Sequence, residues 1–245
     1  MSPASAEETF QMIAERPPYT LACLDLAGTL VTDESGEGGG LVGQAFAAAL
    51  DAVGVSRDGA ERDSMIDYIK LTMGQSKVQV FAGLFPEPAR AAAANASFES
   101  VYGELIDRGA AVPIPGAVET LARLRRSGIQ ICLVTGFSPS TRDRLLAGLG
   151  WADLADLVLS PADAGRGRPY PDMILTAVLR LRVDDVRSVA VVGDTEADIR
   201  SGLRAGAGVV AGVLTGTADR GTLAGAGATH VLDSIADLGA VLIAA

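Results

Sequence analysis

The chain has 245 residues, 49% of them hydrophobic, which allows one sizeable domain with a smaller insert and excludes a largely disordered polypeptide. Its 20 Lys and Arg stand against 30 Asp and Glu, a net charge of −10 with no basic stripe, so nucleic acid is disfavoured as a partner. No apolar run reaches the roughly eighteen residues of a bilayer span. The start of the chain carries Glu7, Glu8, Glu15 and Arg16 instead of the apolar block of a signal peptide. A cytoplasmic protein with no membrane partner is the expectation.

In chain order, Ala6 to Glu15 is helix-like, either a packing arm or a frayed end. The apolar run Tyr19 to Leu24 then reads as a buried strand. It leads directly into Asp25-Leu26-Ala27-Gly28-Thr29-Leu30-Val31-Thr32-Asp33, a carboxylate where a strand gives way to a glycine turn. Such an Asp either caps the turn or points into the crevice beyond the carboxyl ends of an open α/β sheet. From there to Pro113 the pattern is helical: Leu41 to Val53, Arg57 to Leu71, Lys77 to Leu84 and Ala89 to Arg108 carry apolar residues at helical spacing, with no good strand among them. The stretch Gly36 to Gly40 and the run Pro113-Ile114-Pro115-Gly116 mark the edges of this block as hinges or linkers. Gly38, Gly40 and Gly43 satisfy G-x-G-x-x-G, but too far from the first strand to be a dinucleotide fingerprint.

After Pro113, strands and helices alternate. Ile129 to Val134 and Asp156 to Leu159 read as strands, each followed by a helix, Pro139 to Leu149 and Pro171 to Leu181. Ser188 to Val192 and Gly208 to Val213 are strands flanking a helix from Glu196 to Ala205, and a last strand and helix fill His230 to Leu242. Repeated β-α units imply a parallel sheet covered on both faces. The fold class is therefore α/β: a Rossmann-like core of residues 1–37 and 113–245, with a helical cap of residues 38–112 inserted over the strand ends. Cys23 and Cys132 fall inside strands and read as small buried thiols. Gly206, Gly208 and Ala211 lead into a strand and imply no nucleotide.

Chemistry collects at the strand ends. Thr135-Gly136 offers a hydroxyl and an open backbone N–H before a helix, either an anion cradle or an ordinary cap. Arg168, set in Gly167-Arg168-Pro169-Tyr170-Pro171, puts a cation at a helix start, where the macrodipole disfavours it. That conflict points to a bound anion. Val191-Val192-Gly193-Asp194-Thr195-Glu196-Ala197-Asp198 adds two carboxylates a helical turn apart, a poor structural choice unless something positive sits among them. Mg²⁺ takes such oxygen ligands and leaves positions for substrate phosphate, and Asp25 and Asp194 fit that demand. The single histidine, His230, has no sequence partner, so a zinc site or a Ser-His-Asp triad is excluded and it reads as a surface or turn residue.

These four segments, in this order, resemble the haloacid dehalogenase superfamily of phosphohydrolases over the whole chain. The resemblance implies that Asp25 is a nucleophile forming an aspartyl-phosphate. It also implies that Thr29, Thr135 and Gly136 contact the substrate, with Arg168 standing where the family has Lys or Arg. Mg²⁺ would be bound by Asp25, the Ala27 carbonyl and Asp194, with Asp198 in support. Phosphate esters resist water so strongly that rate factors up to about 10²¹ are needed, and a covalent intermediate divides that barrier.

One departure is informative. Most phosphatases of the superfamily have a second Asp, acting as general acid and base, at the position of Ala27. Its loss should cost roughly 10² to 10⁴ in rate when the leaving group is an alkoxide. The phosphonoacetaldehyde hydrolase branch resembles this chain in having Ala there, and it uses a cap lysine that forms an imine with the substrate aldehyde. Lys77, in Met73-Gly74-Gln75-Ser76-Lys77, resembles that lysine in its setting, Met73 being a further substrate contact by the same analogy. Against this branch, Val80 stands where it has His and Phe137 where it has Tyr. A cap lysine can equally be a solvated charge or a contact to substrate phosphate. Three readings follow: cleavage of a C–P bond in a small phosphonylated metabolite, hydrolysis of a phosphorylated one as a phosphomonoesterase, or a scaffold that binds Mg²⁺ and anions without turnover. The branch also implies a homodimer through the cap, by analogy alone.

Overall fold

The computed structural model describes residues 19–33 and 40–243. The helix-like segment Ala6 to Glu15 and most of the glycine stretch 36–40 lie outside them. Six parallel strands form the main sheet in the order β5-β4-β1-β6-β7-β8: β1 (Leu21–Asp25), β4 (Gln130–Val134), β5 (Leu157–Leu159), β6 (Val189–Gly193), β7 (Val209–Val213) and β8 (His230–Leu232). β1, β6 and β7 are buried along their whole length, as expected of central strands covered on both faces.

Side chains alternate between the two faces. Ala22, Leu24, Ile131 and Leu133 enter one apolar cluster, while Leu21, Cys23, Cys132 and Val134 enter another, against Met173 and Ile174. Cys23 and Cys132 are registered neighbours on β1 and β4 and are both free thiols. His230 is exposed at the start of β8.

The helices between the first strand and residue 111 are α1 (Gly40–Ala52), α2 (Ala60–Leu71), α3 (Lys77–Leu84) and α4 (Pro88–Asp107). They form an inserted helical cap. Its aromatic centre, Phe46, Phe81, Phe98 and Tyr102, reaches core residue Phe137, with the Tyr102 and Phe137 rings 4.6 Å apart. One apolar cluster thus runs from the sheet into the cap.

The expectation of no strand in this stretch is corrected. β2 (Val31–Asp33) and β3 (Ala111–Pro113) pair antiparallel, Val31 opposite Pro113, on either side of the insert. Each has three residues, too few for an alternating pattern, and Pro113 reads as a linker although a proline is tolerated where no ladder N–H is required. Beyond β3 lie α5 (Ala117–Arg126), α6 (Pro139–Gly148), α7 (Pro161–Ala164), α8 (Asp172–Arg180), α9 (Glu196–Ala205), α10 (Arg220–Gly225) and α11 (Leu238–Leu242). α5 was not anticipated, yet it buries Ala117, Thr120, Leu121 and Leu124, the i, i+3, i+4, i+7 spacing of one helix face.

Candidate active site

The chain moves from β1 to β4 on one side and to β6 on the other, so β1 lies at the topological switch point of the sheet, where open α/β proteins form their crevice. Three adjacent strands end there. Asp25 is the last residue of β1, Thr135 follows β4, and Asp194 follows β6. Apolar side chains anchor the three strands below these positions. Gly28 permits the turn after β1: its φ is +86°, and a Cβ there would come within 2.6 Å of the Asp194 carboxylate.

Asp25, Asp194 and Asp198 are all buried, and one carboxylate oxygen from each lies within 4.8 Å of the others. Arg168, 3% exposed, stands among them. Its Nη1 is 2.7 Å from Asp25 Oδ1 and also pairs with Asp198 Oδ1. The conflict at the helix start is therefore met first by the protein's own carboxylates. The Asp198 Oδ2 accepts from the Thr195 N–H (3.1 Å) and hydroxyl, closing a capping box at the start of α9. Both oxygens of Asp198 are thus committed.

Asp194 Oδ2 accepts from the Thr217 N–H (2.9 Å) and hydroxyl (3.2 Å), and Thr29 Oγ donates to Oδ1 at 3.5 Å. Thr29 is fully buried against Asp194. The capping role of Thr195 is legible as Thr-x-x-Asp before an apolar run; Thr217, twenty-three residues beyond Asp194, has no local signal.

A cavity of about 880 Å³ opens above these groups, lined at its polar end by Asp25, Ala27, Thr135, Gly136, Arg168 and Asp194. Met73 and Lys77 line it from the cap side. The Thr135 hydroxyl accepts from the Phe137 N–H (3.2 Å). Lys77 opens α3 and is 6% exposed, so the surface-charge reading does not describe it. Its Nζ lies 5.4 Å, 5.8 Å and 5.4 Å from the ring centres of Phe46, Phe98 and Phe137. It forms no salt bridge among the described residues.

Burial acts oppositely on the two ends. Desolvation, against the pull of Arg168 and with the repulsion of Asp198 and Asp194, raises the Asp25 carboxyl to about 8. Desolvation, then the repulsion of Asp198, raises Asp194 to about 6. Desolvation, then Arg168, lowers the Lys77 ammonium to about 8. Three carboxylates against one guanidinium leave excess negative charge, and the donors are all hard oxygens. Asp25 and Asp194 line the cavity whereas Asp198 does not, so the first two fit as holders of a divalent cation and the third as their support.

The cap seats closely on this centre. Gly74, with φ +84°, lies where a Cβ would come within 2.4 Å of Thr195 Oγ, and one on Gly136 would come within 2.5 Å of the Gln75 carbonyl oxygen. The Lys77 N–H donates to the Gly136 carbonyl at 3.3 Å.

A model of the haloacid dehalogenase-like hydrolases matches residues 19–206. A phosphonoacetaldehyde hydrolase of Pseudomonas fluorescens is 37% identical over 106 residues, 43% of this chain and 38% of the relative. One from Parabacteroides distasonis is 33% identical over 156 residues, 53% of this chain and 58% of the relative. These matches span less than two thirds of either relative's length. The crystal structure of a phosphonoacetaldehyde hydrolase-like protein from Oleispira antarctica has the same fold, with a TM-score of 0.76 at 23% identity over 99% of this chain and 95% of that one. The α/β core with its inserted cap, and the match over residues 19–206, make this chain a member of the haloacid dehalogenase-like hydrolase family.

Proposed function

We propose that this hydrolase is Mg²⁺-dependent and cleaves the carbon–phosphorus bond of a small carbonyl phosphonate, with Asp25 as nucleophile and Lys77 as the amine that captures the carbonyl. Residues 1–37 and 113–245 would be the catalytic core and 38–112 the cap. One observation carries this reading: Lys77 is a buried amine of lowered pKa, without an anionic partner, in the same cavity as Asp25. The activity of the phosphonoacetaldehyde hydrolases this chain resembles supports this reading.

The chemistry follows from these groups. The Lys77 amine adds to the substrate carbonyl, and loss of water leaves a protonated imine. The faces of Phe46, Phe98 and Phe137 favour that cation. An Asp25 oxygen attacks phosphorus as the C–P bond breaks, and the bonding pair passes into the imine to give an enamine. Proton uptake from water and hydrolysis then release the carbonyl product and the free lysine. A second water hydrolyses the aspartyl-phosphate to inorganic phosphate. The leaving group is carbon stabilised as an enamine, so no acid is needed at Ala27.

Mg²⁺, when bound by Asp25, Asp194 and the Ala27 carbonyl, supplies charge neutralisation at the phosphoryl oxygens. Arg168 orients the Asp25 carboxylate through its 2.7 Å contact and adds a second positive charge. Thr135 and Gly136 offer a hydroxyl and an N–H to the phosphoryl group, while Thr29 holds Asp194 and Met73 packs beside the substrate.

Val80 and Phe137, in place of protic side chains, favour a second reading, a phosphomonoesterase in which water supplies the leaving-group proton. Borohydride reduction with phosphonoacetaldehyde separates the two. The expected result is loss of activity with a mass increase on the peptide bearing Lys77; an unlabelled enzyme that hydrolyses phosphate esters would reject the C–P reading. No turnover of either substrate class with Mg²⁺ present would leave the non-catalytic scaffold.

A further inference from the structure

The cavity is larger than a two-carbon phosphonate requires. Its volume of about 880 Å³ lies near the top of the range, roughly 300–1,000 Å³, of pockets that enclose drug-sized ligands. A parted cap does not account for this, because Gly74 and Gly136 already leave no room for a methyl group at the seam. The cap helices line the cavity mainly with apolar side chains, Leu41, Phe46 and Leu50 of α1, Ile66 and Ile69 of α2, and Met73 beyond them, Arg62 and the exposed Lys70 being the charged exceptions on α2.

Polar groups along the same cavity are occupied by the protein. The Arg62 guanidinium is bound to Asp51 Oδ1 (2.8 Å) and to the carbonyls of Ala47 (3.3 Å) and Ser56 (3.5 Å). The Thr215 hydroxyl donates to the Gly28 carbonyl (2.7 Å) and that of Thr217 to Asp194. An apolar substituent against the α1 and α2 side chains would gain by leaving water, whereas a hydroxyl-rich one would meet its polar partners only toward the exposed Lys70, Asp219 and Thr222. Around Lys77 the neighbours are likewise apolar, with three phenyl rings within 5.8 Å of its Nζ.

We infer that the preferred substrate is a 2-oxoalkylphosphonate, a ketone whose apolar chain lies in the wing formed by α1 and α2, with its phosphonate among Asp25, Thr135 and Arg168. This rests on the C–P cleavage reading above and narrows its substrate class. A ketone condenses with Lys77 as an aldehyde does. The balance is one phosphonate and one water giving inorganic phosphate and a methyl ketone, the methyl carbon taking its proton from water after the C–P bond breaks.

The test is phosphate release by the Mg²⁺-loaded enzyme from phosphonoacetaldehyde, 2-oxopropylphosphonate and 2-oxoheptylphosphonate, with n-hexyl phosphate as the ester control. Each methylene that enters the wing should raise kcat/KM by up to about 4-fold. The expected gain from the oxopropyl to the oxoheptyl compound is at least tenfold. Ile66→Trp and, separately, Val42→Phe, both at partly buried cavity positions, should lower the ratio of oxoheptyl to oxopropyl kcat/KM by about tenfold or more. Thermal midpoints identify a variant that fails to fold, and the other then decides.

A flat or falling series with phosphonoacetaldehyde preferred would overturn the inference while leaving C–P cleavage intact. If hexyl phosphate alone is hydrolysed and borohydride traps nothing, the C–P reading fails and this inference fails with it.

Discussion

Asp25 and Lys77 are both charged in water, yet burial drives each toward its neutral form, the acid upward and the base downward, until both titrate near 8. For the lysine this favours chemistry. At pH 7 a pKa of about 8 leaves roughly a tenth of the amine free, against a few parts in ten thousand at the ordinary value. In Mg²⁺-loaded enzyme, kcat/KM for a carbonyl phosphonate should therefore rise with pH and level off above about 8. A profile flat from pH 6 to 9 would remove free Lys77 from the mechanism. For the aspartate, the raised value reflects burial first and then the repulsion of Asp198 and Asp194, and a divalent cation would favour the ionised form. Asp25→Asn should lower kcat by more than about 10³-fold. The same variant should keep or raise the thermal midpoint of metal-free protein at pH 8, because a buried charge is gone. Asp25 and Asp194 were legible as carboxylates at strand ends; that Arg168 pairs with two carboxylates was not, because ion pairing between segments far apart in the chain leaves no local pattern.

At the scale of elements, Asp198 ties the start of α9 to Arg168, and Gly136 seats the cap on the end of β4. Asp198→Ala removes one partner of a buried ion pair and opens the capping box. The loss expected by urea denaturation is about 3–5 kcal/mol, most of it from the pair. A loss below 1 kcal/mol would mean that Asp25 alone satisfies Arg168. Gly136→Ala brings a methyl against the Gln75 carbonyl and must displace the Met73–Lys77 loop. kcat/KM should fall at least tenfold, while stability drops by only about 1–3 kcal/mol. The five-residue strands of the main sheet and most helices were legible because each is long enough to show its period, and the three-residue β5 and β8 because they fall within the β-α alternation. The β2–β3 pair was not, since three residues and a proline carry no such signal.

For the whole molecule, the three shifted groups divide the pH scale. Asp25 and Asp194 have raised values, so the native state retains protons that the unfolded chain releases above about pH 4. Their contribution is fully present below that pH and is lost as pH rises through about 6 and then about 8. Lys77 has a lowered value, so the unfolded chain binds the extra proton between about 8 and 10.5, and stability recovers its contribution over that window. Metal-free protein should therefore lose thermal stability between pH 5 and pH 8. Mg²⁺ should raise the midpoint more at pH 8 than at pH 5, because it binds ionised carboxylates. Equal shifts at both pH values would place the cation away from Asp25 and Asp194.

Among the described residues no helix is long and apolar enough to cross a membrane, in line with the hydropathy of the chain. The α/β class, the inserted helical cap and the four strand-end segments followed from the sequence by itself, because apolar period and turn residues are local properties that a chain displays before it folds. Tertiary structure alone decided that Lys77 is buried among three phenyl rings, that Asp198 faces Arg168 and not the cavity, and that apolar side chains of α1 and α2 line the same cavity as Asp25. Those facts depend on residues far apart in the chain sharing one low-dielectric space, and burial there, more than residue type, sets what a carboxylate or an amine can do.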